Sequence, residues 1–197
     1  LQSLGPDDVV IGLWSGGGSS LFTLPRPGLA LGDQIRLTRA LMKAGANIVE
    51  LNTVRKHMSQ VKGGQLAAAT PARMMNFVIS DVFGNRLDVI ASGPTVADPT
   101  TARQALAILK KYQLSTQPLD RIVHQAETPK RLDAKRVTTR LIGSNHLVLT
   151  QLAAVSKQLG FHSRIITETM HGEATRVARD LIRTATKVKR KPSLLLF

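Results

Sequence analysis

Short apolar segments alternate with helical patterns along the whole chain, and this alternation restricts its fold more than any other feature. In the helical stretches, apolar residues recur three and four positions apart. A chain that alternates in this way forms a parallel sheet covered by helices on both faces. We therefore predict an α/β fold that binds ligands at the carboxyl ends of its strands. The predicted strands are 9–14, 74–80, 138–142, 162–167 and 193 onward.

Capping residues and glycines set the predicted helix ends. Asp98 is expected to cap one helix, with Pro99 at its first position, and Ser144 to cap another. Residues 115–135 lack periodicity, so we expect a surface loop with a short helix there. The predicted helices are 33–44, 47–61, 66–69, one that begins at 98, one that runs to 159, and 172–185.

Composition narrows the class of protein. The 197 residues suit one domain, and an apolar fraction of 43% is enough for a full core. The absence of cysteine excludes a disulfide framework, a zinc–thiolate site and a thiol nucleophile. We find neither a signal peptide nor an apolar run near the ~18 residues of a membrane span. These features predict a cytoplasmic protein without a membrane partner. The chain lacks a starting Met and stops inside the apolar run 194–197, which suggests a fragment.

A net charge of +14 predicts an anionic partner such as a phosphorylated metabolite or nucleic acid. The basic residues are spread out, apart from one cluster at Lys187, Lys189, Arg190 and Lys191. Aromatic residues are only 4% of the chain, so few side chains could stack on bases. A non-catalytic domain that binds RNA or another polyanion is the alternative reading, and the scarce aromatics count against it.

The glycine-rich run Ser15-Gly16-Gly17-Gly18-Ser19 follows the first predicted strand directly. Successive glycines expose backbone N–H groups and let an anion approach closely. The run is neither a Walker A motif nor a complete GxGxxG. It predicts either a phosphate-binding loop or a tight strand-to-helix turn.

A basic segment with a glycine pair forms the second candidate. On helical spacing, Lys56, Ser59 and Gly63 share one side, and Arg55, Ser59 and Lys62 form an adjacent stripe. Cations beside Gly63-Gly64 suit a phosphate clamp, and a solvated basic helix face is the alternative. Asn52 belongs to the same segment.

Asp81, at the end of the second predicted strand, is the third candidate. A carboxylate in this position suits Mg²⁺ or a substrate hydroxyl, or else it caps the following turn. Ser92 and Gly93 follow in the next loop. The histidines show no metal-ligand spacing and are expected to be structural or at the surface. They are His57, His124, His146, His162 and His171.

Taken together, these motifs resemble the glycerate kinase family that joins an N-terminal α/β domain to a C-terminal domain of the MOFRL type. The resemblance implies a Rossmann-like parallel sheet with helices on both faces, incomplete at both ends of this chain. It also implies transfer of the terminal phosphoryl group of ATP to D-glycerate, more often at the 2-hydroxyl than at the 3-hydroxyl, with Mg²⁺. The matching segments are SGGGSSL (15–21), the long blocks 37–67 and 78–101, IGSN (142–145) and HGEATRVA (171–178).

The resemblance also implies roles for individual residues. Gly16, Gly17, Gly18 and Ser19 match the family's glycine loop, which would hold ATP or the substrate carboxylate. Lys56 or Lys62 would neutralise the transferring phosphoryl group, and Asp81 would hold Mg²⁺ or orient the attacking hydroxyl. The remaining binding residues would be Ser15, Asn52, Arg55, Ser59, Gly63, Gly64, Ser92 and Gly93.

The chain departs from the family pattern at Asn85, where the family often has aspartate. On this resemblance, residues 1–197 form the central part of the N-terminal domain, without the MOFRL-type domain, and we expect the piece alone to be weak or inactive. A folded but inactive product of a degraded gene is a further alternative, and a homodimer is left open.

Overall fold

The computed structural model describes residues 1, 3–122, 127–189 and 192–197. These residues divide into two compact units, Leu1–Ile142 and Gly143–Phe197. His124, Arg190 and Lys191, which the sequence analysis singled out, lie outside the described residues. Among the described residues, no helix is both long and apolar enough to cross a membrane.

The secondary structure follows the predicted alternation closely. Two short 3₁₀ turns, Phe83–Asn85 and Ile90–Ser92, lie between the second strand and the fifth helix. The strands are β1 (Val9–Trp14), β2 (Arg73–Ile79), β3 (Val137–Gly143), β4 (His162–Ile165) and β5 (Ser193–Leu196). The helices are α1 (Gly18–Leu21), α2 (Leu31–Lys43), α3 (Ile48–His57), α4 (Gln65–Ala68), α5 (Ala102–Lys111), α6 (Gln117–Asp120), α7 (Asn145–Gln158) and α8 (Ala174–Thr186).

Parallel strand pairing confirms the predicted α/β class. One sheet has the order β1-β2-β3, and β1 pairs with β2 in parallel from Val9↔Arg73 to Trp14↔Val78. A second sheet pairs β4 with β5, also in parallel. The described strands therefore form two sheets rather than one. One face of β1 is exposed, because Ile11 and Leu13 remain 64% and 76% accessible.

The main core lies where α2, α3 and α5 pack together. Leu41, Val54 and Leu109 are almost fully buried there, and each such side chain contributes about 1.5–3 kcal/mol. Asn47 begins α3 by accepting hydrogen bonds from the N–H groups of Val49 and Glu50. Residues 115–122 are less superficial than predicted, since Leu119 and Ile122 complete this core.

Two predicted helix ends are wrong, and both errors concern the candidate site. The helix predicted over 47–61 ends at His57, so Lys62 lies in a turn rather than on the helix. The cap of α5 is Thr101, not Asp98. Asp98 instead is completely buried and accepts hydrogen bonds from side chains far from it in sequence. Sequence alone could not distinguish these roles, because an Asp before a Pro suits a cap equally well.

Candidate active site

The glycine run and Asp81 lie together at the carboxyl edge of the first sheet. The parallel pairing of β1 and β2 makes this unavoidable, since the run follows Trp14 and Asp81 follows Ile79 by two residues. A Cβ atom added to Gly16 would lie 2.6 Å from Asp81 Oδ2, so only glycine fits without moving that carboxylate. Gly16 and Asp81 are both exposed, so this edge can accept a ligand.

Ser19 is the point at which two cations meet the glycine run. Gly17 has φ +86° and begins the single turn of α1, whose second residue is Ser19. The Ser19 carbonyl accepts hydrogen bonds from Lys62 Nζ at 3.0 Å and from the Arg55 guanidinium. Lys62 Nζ also donates to the carbonyl of Phe22 at 2.6 Å. The glycine run and the basic segment are therefore neighbours in the structure.

The charge at this point is unusual because neither cation has an acidic partner among the residues that the structure describes. Lys62 is only 2% exposed, and within the described residues neither Lys62 nor Arg55 forms an ion pair. Burial, and secondly the nearby Arg55, lowers the pKa of Lys62 to about 8. Burial also lowers the pKa of Arg55. An anion at this site would relieve both costs, since opposite charge favours the charged form.

Ser92 connects the third candidate segment to the other two. Its Oγ lies 3.1 Å from Ser19 Oγ and 3.2 Å from Asn52 Oδ1, and the residue is completely buried. Ala91 and Ser92 have φ values of +51° and +62°, a conformation that costs non-glycine residues about 1–3 kcal/mol each. Ser92 thus braces the glycine run through Ser19, and Asn52 supports Ser92, while the ligand contacts of both residues stay predictions.

Gly63 and Gly64 dock on the same strained turn through their backbones. The Gly63 N–H donates to the Ser92 carbonyl at 2.9 Å, and the Gly64 N–H donates to the Gly93 carbonyl at 2.7 Å. Gly64 has φ +81°, and a Cβ there would lie 2.9 Å from the Val96 carbonyl oxygen. The glycine pair therefore allows the close approach that places Lys62 beside Ser19.

Replacing Gly64 by Ala tests this close approach. We expect the free energy of unfolding in urea to fall by about 3 kcal/mol, the sum of the left-handed backbone cost and the steric clash. Gly45→Ala is the matched control, because Gly45 also has φ +81° but no atom lies within 4 Å of its added Cβ. The control should lose only about 1–2 kcal/mol. Equal losses in the two variants would contradict a tight backbone contact at Gly64.

Lys56 pairs with two buried or partly buried carboxylates. It is 3% exposed, and its Nζ lies 3.2 Å from Asp98 Oδ1 and 3.7 Å from Asp88 Oδ2. Asp98 also accepts from the Thr100 N–H and hydroxyl and from the Thr128 hydroxyl. This cluster joins α3 to the segment before α5. In the sequence, Asp98 was the residue that could have indicated this cluster, but the prediction used it as a helix cap.

The remaining predicted residues have ordinary structural roles or stay exposed. Ser59 is buried, and its Oγ accepts a hydrogen bond from the Val61 N–H. Ser15 is exposed at the start of the run. Gln65, which the sequence analysis missed, holds the turn together because its Nε2 lies within 3.1 Å of the carbonyl oxygens of Lys56, Ser59 and Lys62.

Asp81 is the carboxylate that lies against the glycine run, and it could serve a metal ion. The described residues contain no group of three or more potential metal ligands. Mg²⁺ nevertheless often takes only one or two carboxylates from the protein and completes its shell with water and substrate phosphates. A single exposed aspartate beside an anion-binding loop fits that requirement. Asn85 adopts φ +52° in the nearby 3₁₀ turn, a conformation that asparagine tolerates.

His57, next to Lys56 at the end of α3, is completely buried. Its Nδ1 lies 2.7 Å from the Thr53 carbonyl oxygen, and its Nε2 lies 3.5 Å from Glu127 Oε1. Burial lowers the pKa of His57 below its usual value, despite the neighbouring Asp98 and Glu127. A neutral, buried imidazole of this kind fits the structural role expected for it.

Fold and site together define an α/β domain whose first sheet carries a cationic, glycine-lined edge. Comparison with known families extends this result. The chain belongs to the family described as a domain of unknown function (DUF4147), whose model matches residues 1–126.

Several characterised or solved proteins are similar to this chain over nearly all of its length. D-glycerate 2-kinase of Thermotoga maritima is 43% identical, covering 100% of this chain and 48% of the relative. Glycerate 2-kinase of Pyrococcus horikoshii is 42% identical, covering 85% and 40%. The crystal structure of the Thermotoga maritima glycerate kinase superposes with a TM-score of 0.87, covering 98% of this chain and 48% of that one. The predicted resemblance to glycerate kinases is thereby confirmed.

Two further features of these comparisons bear on the function of this chain. The chain spans about half the length of the curated relatives that it matches. In addition, a relative from Agrobacterium vitis, 41% identical over 97% of this chain and 44% of its own length, is provisionally named a hydroxypyruvate reductase.

Proposed function

We propose that this chain forms one wall of a glycerate kinase active site, corresponding to the central part of the N-terminal α/β domain. The reaction is transfer of the terminal phosphoryl group of ATP to the 2-hydroxyl of D-glycerate. One observation carries the proposal: the half-buried Arg55 and the buried Lys62, both without acidic partners in the described chain, converge on Ser19 of the glycine run. ATP and D-glycerate are both anions, so either would be attracted to this charge.

The geometry suggests a division of roles within the site. The first N–H groups of a helical turn have no partner within the turn, so the loop 16–19 can offer them to phosphate oxygens. Asp81 would hold Mg²⁺, which supplies charge neutralisation on the phosphates when it is bound. Lys62, rather than Lys56, is the lysine positioned to contact an anionic substrate, because Lys56 is already paired with Asp98.

Hydroxypyruvate reduction is the competing activity, and the Agrobacterium vitis relative is the reason to consider it. A reductase of this type transfers a hydride from a nicotinamide cofactor. The loop here lacks the complete GxGxxG pattern that dinucleotide-binding folds use at this position. This difference favours the kinase.

A chimeric enzyme tests the proposal directly. In this chimera, the present chain replaces the aligned segment of the Thermotoga maritima D-glycerate 2-kinase. The rest of that enzyme supplies the half that the chain does not span. We expect ADP release that depends on D-glycerate, ATP and Mg²⁺, with 2-phosphoglycerate as the product by ³¹P NMR. The isolated chain should show weak turnover or none.

The unmodified Thermotoga maritima enzyme is the positive control for the chimera. A chimera that folds, as judged by circular dichroism and thermal unfolding, but releases no glycerate-dependent ADP would contradict the kinase. Oxidation of NADH or NADPH with hydroxypyruvate would instead support the reductase.

The proposal includes a cytoplasmic location, where ATP is available, and names no membrane or nucleic-acid partner. A homodimer is left open, and light scattering after size-exclusion chromatography decides it.

A further inference from the structure

A cavity of about 370 Å³ opens beside Ser19, between α1, α2 and α3. Its position matters because the half-buried Arg55 and the buried Lys62 line it, so the two cations described above border an open space. Arg39 of α2 adds a third cation to the lining. Thr23 and Thr38 add hydroxyl groups.

The cavity is strongly cationic. No Asp or Glu is among its lining residues. Arg39 is exposed, and within the described residues it forms no ion pair. The Thr23 hydroxyl donates to Gln34 Oε1 at 2.9 Å, so its oxygen stays able to accept a hydrogen bond from a ligand hydroxyl. The cavity therefore combines cations for one anionic group with an acceptor for a hydroxyl.

The size and walls of the cavity favour a small ligand. Ligand pockets usually measure about 300–1,000 Å³, so this one is at the small end. Leu31, Ile35 and Met58 form apolar walls, which suit a short carbon chain better than a triphosphate. A guanidinium group matches a carboxylate in a planar, two-point arrangement. The loop 16–18, which is exposed at Gly16 and Gly17, and the exposed Asp81 lie outside this lining and remain available for a nucleotide.

We propose that this cavity is the subsite for the carboxylate of a small 2-hydroxy acid, with Arg39, Arg55 and Lys62 as its cationic contacts. The inference rests on the proposed function for naming D-glycerate as that acid. Ser19 then connects the carboxylate subsite to the glycine loop, because its carbonyl holds Arg55 and Lys62 while its N–H belongs to the loop.

Isothermal titration calorimetry on this chain provides the test, with Arg39→Gln as the variant. Arg36→Gln is the matched control: Arg36 is also an exposed arginine of α2, but it pairs with Asp33 and does not line the cavity. We expect D-glycerate affinity to fall about tenfold in Arg39→Gln, as for loss of one charge-assisted hydrogen bond. It should stay within about twofold in Arg36→Gln. Glycerol, which lacks the carboxylate, should not bind.

The phosphate alternative is tested in the same titrations with ATP and inorganic phosphate. Loss of ATP or phosphate affinity in Arg39→Gln, with D-glycerate unaffected, would overturn the inference and make the cavity a phosphate site. Absence of D-glycerate binding by the unmodified chain at millimolar concentration, or equal effects of the two variants, would also overturn it.

The same variants separate this inference from the proposed function. An active chimera whose KM for D-glycerate is unchanged by Arg39→Gln would leave the kinase standing and reject the subsite. Conversely, D-glycerate binding that depends on Arg39, together with an inactive chimera, would support a hydroxy-acid site and reject the kinase.

Discussion

Replacing Lys62 by Met is expected to lower glycerate-dependent ADP release by the chimera about a hundredfold or more. The methionine side chain is of similar length and fits the same space, but the substitution removes a buried charge next to the anionic substrates. A charge-assisted contact in a water-poor site contributes about 3–4 kcal/mol to catalysis, which corresponds to a hundredfold or more. The coupled ADP assay, at saturating ATP and varied D-glycerate, measures the effect.

Two comparisons show whether that loss is specific. Lys110→Met is the matched control, because Lys110 is an exposed lysine on α5, and activity should be unchanged. The free energy of unfolding of Lys62→Met at pH 7 should change by less than about 2 kcal/mol, because removal of a desolvated charge offsets the loss of two hydrogen bonds. Full activity in a folded Lys62→Met chimera would reject the role of Lys62.

The low pKa of Lys62 also predicts how the free energy of unfolding depends on pH. Burial lowers the pKa of Lys62 from its ordinary value of 10.5 to about 8 in the folded protein. Between these values the unfolded chain binds more protons, so this group makes stability rise with pH. Relative to Lys62→Met, the free energy of unfolding should increase from pH 8 to about 10.5 by at most about 3 kcal/mol. Anion binding, which needs the protonated amine, should weaken over the same rise in pH.

Replacing Asp98 by Ala is expected to have the largest effect on stability. The change leaves the buried Lys56 ammonium with only Asp88, at 3.7 Å, and removes the acceptor for Thr100 and Thr128. Breaking one partner of a buried ion pair costs about 3–5 kcal/mol. Urea unfolding followed by circular dichroism measures this loss.

A second variant makes the interpretation specific. The double variant Lys56→Met/Asp98→Ala should lose clearly less than the sum of the two single losses, because no unpaired charge remains buried. Asp133→Ala, at an exposed turn, is the matched control and should lose less than about 1 kcal/mol. Additive losses in the double variant would show that Lys56 and Asp98 do not depend on each other.

Much of the fold could be predicted because it depends on local patterns. The apolar run 9–14 and the run 74–80 each became a strand, and the glycine run followed the first of them as expected. The capping box of α3, with Asn47 and Glu50, lies within four residues. The division into two sheets was not predictable in this way, since strand partners are decided by contacts between distant segments.

The candidate site was likewise predictable only where it depends on local patterns. By itself, the sequence determined the α/β class, the resemblance to glycerate kinases, and the meeting of the glycine run with Asp81, because parallel strands must end at one edge. Only the tertiary structure shows that the two lysines have different partners. Lys56 and Lys62 are six residues apart and chemically identical, yet one pairs with Asp98 and the other with the carbonyls of Ser19 and Phe22. Their partners lie about 40 residues away, beyond the reach of any local pattern.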